Sequence, residues 1–365
     1  MSYLSPLLNR AGAVQAGGQD AGVASHYGEP NREQRLLAGY LGKPGTAVVD
    51  LSHRGVVTVT GPDRLSWLNT LSSQALTNLA PGIGTELLLL TVQGRIEFDA
   101  RVVDDGECTW LIVETDEAAP LAQWLNSMKF MLRVEVADAS RSWAVVGSVA
   151  EVPEWGNYVA WVDPWPHVGA GGYSYAAVAA EEHPGLERPW REYLIPATEL
   201  VDAVGQRPLA GVWAAEALRV AAWRPRRGAE TDEKTIPHEL DLLRTAVHMD
   251  KGCYKGQESV ARVHNLGRPP RRLVFLQLDG SLHTLPAAGS EVSFEERVVG
   301  TVTSSAQHFE MGPIALALIK RSVDPQAVLS VTDDGEVYPA SQEVIVAPQA
   351  GQVVGRATGF LRPPR

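Results

Sequence analysis

The stretch Lys251-Gly252-Cys253-Tyr254-Lys255-Gly256-Gln257-Glu258 places a thiol between two glycines and two lysines. Ammonium groups near a cysteine favour its thiolate, the form that attacks electrophiles and ligates metals, and glycines let backbone or ligand come close. A free cysteine also packs well as a small buried hydrophobe. The motif alone leaves chemistry and packing both open, and what surrounds it decides the fold.

Downstream, Gly267-Arg268-Pro269-Pro270-Arg271-Arg272 reads as a stiff charged bridge. Evenly spaced β-type segments follow over 273–278, 291–294, 297–303, 315–319 and 343–345, predicting a small β-barrel. Upstream, helices are expected over 197–204 and 212–222, the second stopped by Arg224-Pro225-Arg226-Arg227-Gly228. Residues 151–190, heavy in Pro, Gly, Trp and Ala, predict short strands and irregular loops. Leu121, Trp124, Leu125 and Met128 recur at helical spacing over 116–130, which places that face, Trp124 included, on a core. A strand over 109–114, a hairpin of 87–92 with 96–103 around Gln93-Gly94, and a β-branched strand over 48–60 complete an antiparallel pattern. After that last strand Gly61-Pro62-Asp63 opens a helix with Leu65, Leu68 and Leu71 on one face. Residues 11–28 are rich in Gly, Ala and Gln without a period, ahead of a short helix near 31–41. The expected organisation is a poorly ordered start over 1–28, an α+β region of two subdomains over 29–270, and a barrel domain over 271–365.

At 365 residues the chain exceeds the size at which one core keeps growing, and 45% hydrophobic content supports several packed units. A net charge of −11, from 43 acidic and 32 basic residues, argues against general affinity for nucleic acid while leaving room for a local basic pocket. With only Cys108 and Cys253, neither a disulfide framework nor an all-cysteine metal site can form in one chain, which predicts a reducing, cytoplasmic setting. No apolar run is long enough to span a bilayer, so no membrane association is expected. His248, Cys253 and His264 have irregular spacing and lack a fourth ligand, so no metal site is expected. There is no G-x-G-x-x-G, P-loop, G-x-S-x-G or H-E-x-x-H motif.

The cysteine motif resembles the K-G-C-Y-x-G-Q-E signature of the YgfZ family, folate-binding relatives of the glycine-cleavage T protein (aminomethyltransferase) that support iron–sulfur proteins. The neighbouring segments agree: Leu218-Arg219 and Arg224-Pro225-Arg226 resemble the family's L-R-x-E-x-G-x-P-R, Lys234-Thr235-Ile236-Pro237 its K-T-I-P, and Val299-Gly300-Thr301-Val302-Thr303-Ser304 the start of its last domain. The resemblance implies a three-lobed aminomethyltransferase-like α+β fold with a C-terminal β-barrel and a reduced folate, tetrahydrofolate or a derivative, held between the lobes.

Two carboxylates gain meaning from it. In Gly94-Arg95-Ile96-Glu97-Phe98-Asp99 a hairpin delivers a carboxylate into a strand expected to be largely buried, where it needs a partner. This resembles the T protein's G-G-I-x-x-D, whose Asp lies against the reacting folate nitrogen, so Asp99 inherits that role as an expectation. Glu192, in Trp190-Arg191-Glu192-Tyr193-Leu194-Ile195-Pro196, matches F-E-I-x-x-P, where the Glu accepts hydrogen bonds from the pterin. Arg219 is open to a folate carboxylate or a core acid, and His53 in Asp50-Leu51-Ser52-His53 resembles D-x-S-H and braces the pocket. Departures from the T protein stand beside these matches: its Glu two residues after Arg219 is Ala221, its Gly two further on is Trp223, and its A-R-D reads Ala214-Ala215-Glu216. The expected protein binds tetrahydrofolate through Asp99, Glu192 and Arg219, exposes Cys253 as a thiolate favoured by Lys251, Lys255 and Arg262, and serves iron–sulfur clients. The alternatives are a folate-dependent aminomethyl- or methyltransferase and an interaction protein with a vestigial folate site.

Overall fold

In the computed structural model, which describes residues 3–351, the chain opens with a hairpin of β1 (Val14–Gln15) and β2 (Ala24–His26), then helix α1 (Pro30–Ala38) and strand β3 (Val48–Asp50). The first lobe follows as β4 (Gly55–Thr60), α2 (Arg64–Leu71), β5 (Gly84–Leu90), β6 (Ile96–Asp104), β7 (Cys108–Val113), α3 (Ala118–Met128) and β8 (Glu135–Asp138). Its sheet runs β5-β6-β7-β4-β8. The second lobe adds β9 (Trp143–Ser148), β10 (Val159–Val162), β11 (Arg191–Pro196), α4 (Leu200–Val204), β12 (Leu209–Ala210) and α5 (Val212–Ala221). Here the order is β10-β11-β9-β3-β12, so β3 crosses from the start of the chain to tie the lobe together. Helix α6 (Gln257–Asn265) leads into β13 (Arg271–Leu278), β14 (Glu291–Phe294), β15 (Arg297–His308), β16 (Gly312–Lys320), β17 (Leu329–Asp333) and β18 (Glu336–Val344), which close as the barrel β13-β16-β15-β14-β17-β18. The fold is α+β with a C-terminal barrel.

Strand periodicity decides what reaches the middle of the molecule. On one face of β5 and β6, Leu87, Leu89, Phe98, Ala100 and Val102 pack with Trp67, Leu68 and Leu121 from α2 and α3. The other face sends Leu88 and Leu90 into a second core shared with Trp223, Leu243, Phe275 and Leu316, so all three lobes meet there. Burial on both faces explains the unbroken run Leu87 to Leu90. Glu86, Asp99 and Arg101 share that inner face, because Leu88 pairs with Asp99 and Glu86 with Arg101. A one-residue slip would bury five apolar side chains on the wrong side.

Three expectations need correction. Residues 3–28 are not a loose start: Leu7 and Val23 are buried, Ser5 donates to Asp50, and Asp20 pairs with Arg226. Composition cannot register single side chains that find partners elsewhere in the chain. Helix α6 and strand β17 were also not expected. In α6 only Val260 and His264 are buried, too sparse a stripe to stand out by period, and β17 follows a polar turn-rich stretch. Residues 352–365, the end of the expected barrel domain, lie outside the described residues.

Trp223 adopts φ +59, a left-handed conformation that costs a bulky residue on the order of 1–3 kcal/mol. Burial of its indole, edge-on to the His183 ring at 5.6 Å, offsets that cost. His183 and His238 are both neutral in this interior, burial holding each imidazole down to about 3. An unfolded histidine titrates near 6.5, so below that pH the unfolded chain binds protons the native state refuses. Their contribution is present above about pH 6.5 and lost as pH falls toward 3. His183→Asn keeps an acceptor for the Gly185 N–H and should lose less of its thermal midpoint between about pH 7.5 and about pH 5.5 than the wild type. Equal losses would remove His183 from this account.

Candidate functional site

Where the lobes meet, a small cavity of about 20 Å³ is lined by Asp20, Arg54, Arg101, Trp190, Glu192 and Arg226 together with other charged groups. Each comes from a different segment: Asp20 from the N-terminal hairpin, Arg54 from the turn after β3, Arg101 from β6, Glu192 from β11 and Arg226 from the loop after α5. Guanidinium groups here demand carboxylates, since a buried unpaired charge is expensive. Arg226 donates to Glu114 at 2.8 and 3.1 Å and to Asp20 at 2.8 and 3.2 Å. Asp20 also meets His53 Nε2 at 3.0 Å. Arg54 donates to Glu192, which Arg101 approaches at 3.5 Å.

Glu192 lies on β11, an interior strand of its sheet, at the cavity wall. Burial works against its charge, but Arg101 and Arg54 outweigh burial and hold it at about 2. Its Oε1 accepts from Arg54 and from Trp190 Nε1 at 2.9 Å, while the buried Oε2 has no hydrogen-bond partner. Arg54 Nε and Arg188 Nε are likewise buried and unpaired on the same cavity.

Asp99 lies two residues before Arg101 on the inner face of β6, half-buried, and no described group hydrogen-bonds to its carboxylate. Burial and the nearby Glu86 push its carboxyl up to about 7, against the pull of Arg224 and Arg101. A carboxyl in that state exchanges a proton near neutral pH. Asp99 and Arg101 alternate along one strand face, so Asp99 stands one pleat repeat, roughly 7 Å, from the Arg101 position on the cavity wall.

Arg219 resolves to the second of its two options. Its guanidinium donates to Glu216 at 2.8 and 3.0 Å, to Glu230 at 2.9 Å, to the Arg224 carbonyl at 2.6 Å and to Ser304 at 2.6 Å. It clamps α5 to the barrel and has no donor left over for a folate carboxylate.

The cysteine motif docks on the tip of the β5–β6 hairpin. Gly256 has φ +87, and a Cβ there would fall 2.5 Å from the Thr91 carbonyl and 3.3 Å from Gly94 Cα, so both demands for glycine are met. Gly252 meets neither demand. Cys253 is exposed. The lysines, however, are engaged away from the sulfur: Lys251 Nζ donates to the carbonyls of Asn69, Ser72 and Gln74 at the end of α2, and Lys255 pairs with Glu97 at 2.8 Å. A cation capping a helix C-terminus satisfies carbonyls that the helix leaves open. Burial lowers the Lys251 ammonium to about 8. Tyr254 packs on the three-lobe core, Gln257 opens α6, and Glu258 is exposed in its first turn. Both lysines thus anchor, to other parts of the protein, the loop that presents Cys253.

A pterin edge would offer adjacent N–H donors to the unpaired Glu192 Oε2 and a carbonyl to the unpaired Arg54 Nε. Sequence reading missed Arg54, Arg101, Arg226, Glu114 and Asp20. One signal was available, a charged Arg101 and Glu86 inside otherwise apolar strands. Among the described residues no group of three or more His, Cys, Asp or Glu is placed to hold a metal ion. No described helix is long and apolar enough to cross a membrane.

Two outcomes follow. Because the folded Asp99 titrates above the ordinary 3.8, it favours the fold only below about pH 4, and that contribution is lost as pH rises through about 7. Asp99→Asn should therefore be more stable than the wild type at pH 8, by about 1–3 kcal/mol, with the gap closing near pH 4 in urea titrations. Lys251→Met should lower stability by about 1–3 kcal/mol while leaving the alkylation rate of Cys253 within about twofold. Cys108, buried and with its thiol pushed up to about 12, should react only on unfolding. A large drop in Cys253 reactivity in folded Lys251→Met would restore the thiolate model.

No protein-family model matches the chain. A chloroplastic Arabidopsis thaliana protein described as a candidate transferase is 25% identical over 298 residues, 74% of this chain and 65% of that protein, so the chain spans about two thirds of its length. An aminomethyltransferase of Nostoc sp. is 27% identical over 323 residues, 80% of this chain and 81% of the relative. Another, from Bordetella petrii, is 27% identical over 347 residues, 90% of each. The crystal structure of the glycine cleavage system aminomethyltransferase T from Bartonella henselae matches with a TM-score of 0.72 at 17% identity, covering 95% of this chain and 96% of that one. The chain is similar in sequence to aminomethyltransferases and has the aminomethyltransferase fold.

Proposed function

We propose that the chain is a tetrahydrofolate-binding protein of the YgfZ type that supports assembly or repair of iron–sulfur proteins. The observation that carries the folate reading is a pair of carboxylates with open valences, Glu192 Oε2 inside the cavity and Asp99 on the strand leading to it. Glu192, kept ionised by Arg54 and Arg101, accepts N–H groups from the pterin edge. Asp99 faces the amine and holds or releases its proton. Arg226, Asp20 and His53 position the wall, while Arg219 keeps α5 against the barrel.

Supporting the iron–sulfur reading is the presentation of Cys253, exposed on a loop anchored to the folate-side hairpin. One thiolate cannot complete a cluster's ligand set, so Cys253 acts on a cluster only together with thiolates from a client or assembly protein. Two unpaired cysteines suit a reducing, cytoplasmic compartment.

A second reading, one-carbon transfer, is favoured by Asp99, whose carboxyl titrates where a proton acceptor is useful. When bound, tetrahydrofolate would supply the nitrogen that carries the one-carbon unit. Departures at Ala221 and Ala215 weigh against transfer from a lipoyl carrier.

Calorimetric titration with tetrahydrofolate should give saturable binding. Glu192→Gln and Asp99→Asn should each weaken it by about ten- to a hundredfold, the loss of a charge-assisted hydrogen bond worth roughly 1.5–3 kcal/mol. Unchanged affinity in both folded variants would overturn the folate assignment, and turnover of a folate-linked one-carbon group would move the reading to the transferase.

A further inference from the structure

A second cavity, of about 660 Å³, opens on the flank of the molecule between the loop after α1, helix α5 and the β15–β16 turn. Tyr40 and Lys43 exchange backbone hydrogen bonds at 3.1 Å around a two-residue turn with Leu41 at φ +51 and Gly42 at φ +74, a tight hairpin whose strained tip overhangs the cavity. Tyr40, Leu41, Phe309 and Met311 give it an apolar mouth. Arg35 lies over the Tyr40 and Phe309 rings at 5.6 and 5.8 Å and fixes them.

The inner wall is different. Arg188 is buried, its Nε has no partner, and its contact with Asp163 is long, 3.3 Å, on a carboxylate that Arg224 shares at the same distance. His308, also buried, accepts the N–H groups of Glu310 and Met311 at Nδ1, which leaves the ring proton on Nε2. Two buried donors thus back an apolar, aromatic chamber. The other charged groups lining it are Lys43, Glu187 and Glu310, while Ala221 contributes only a methyl group. Arg188 also lines the central cavity, so one guanidinium forms a wall of both.

We propose that this lateral cavity is a second ligand site, taking a small carboxylate with an aromatic or apolar body, the carboxylate held by Arg188 and His308 and the body lying between Tyr40, Phe309 and Met311. The inference goes beyond the folate reading. It makes the central and lateral cavities two sites that meet at Arg188, as a protein acting on two small molecules would require.

Phenylacetate is the probe. Titrated into the full chain with calorimetric detection, it should bind saturably, whereas phenethylamine, of the same shape and opposite charge, should not. Ala221→Glu places a carboxylate inside the lateral cavity without touching the central one. It should weaken phenylacetate by at least about tenfold while leaving tetrahydrofolate affinity within about twofold. His308→Phe keeps the ring and removes the donor, and should also weaken phenylacetate. Thermal melts identify any variant that fails to fold. No saturable phenylacetate binding, equal binding by wild type and folded Ala221→Glu, or tighter binding of phenethylamine would each overturn the proposal. Loss of tetrahydrofolate binding with phenylacetate binding intact would overturn the folate reading alone.

Discussion

Arg54, Arg101, Arg219, Arg224 and Arg226 carry their charges into the junction of three lobes, and the rest of the molecule is arranged to meet them. Most of their partners lie on a different lobe or on the N-terminal hairpin. Arg101 on β6 reaches Glu192 on β11, Arg224 reaches back to Glu86 on β5, Arg226 needs Glu114 from the first lobe and Asp20 from the N-terminal hairpin, and Arg219 needs Glu230 and the barrel's Ser304. Such a network is weak as a net source of stability, because desolvation cancels much of the attraction. Removing one partner is another matter, since it leaves a buried charge uncompensated at about 3–5 kcal/mol. The lobes are therefore held in one mutual register by the penalty for any other, and apolar packing among Leu88, Trp223, Phe275 and Leu316 supplies the attraction.

A site built this way keeps its reactive groups by leaving some of them unsatisfied. Glu192 is ionised because two guanidinium groups outweigh its burial, yet one of its oxygens stays open. Asp99 shows the opposite balance: burial and Glu86 win over the arginines, so the same stretch of protein holds one carboxylate charged and another poised to take a proton. Environments that push two acids apart are what acid–base roles require. The open valences lie on Glu192 and Asp99, while Arg219 and Arg226, fully paired, form the rigid frame around them.

What was legible in the sequence follows from range. The β5–β6 hairpin, α3, α5 and most barrel strands declared themselves because periodicity and turn residues act over a few positions. Asp99 and Glu192 were singled out because a motif surrounds each of them. The cysteine motif was visible too, but the partners of its lysines were not: Lys251 spans to the end of α2 and Lys255 to Glu97, contacts that sequence adjacency to Cys253 does not announce. The N-terminal segment and the arginine network were not legible, because Asp20 and Arg226 are separated by some two hundred positions and neither sits in a pattern that names the other.

The two departures on α5 and just beyond it are best understood as one rearrangement of space. The resemblance leads one to expect glutamate at 221 and glycine at 223, and a glycine there suits the left-handed backbone that the structure adopts. Trp223 accepts that conformation and fills the interior with an indole against His183. Two residues earlier, a glutamate would have reached into the flank beside Arg188, and Ala221 leaves that volume open. Bulk has been added on the core side and removed on the cavity side within a single turn. The consequence is local and electrostatic: Arg188 keeps a long, shared contact to Asp163, a place over the Trp190 ring and an unpaired Nε beside the volume that Ala221 leaves open, which is where the proposed second ligand would set its carboxylate.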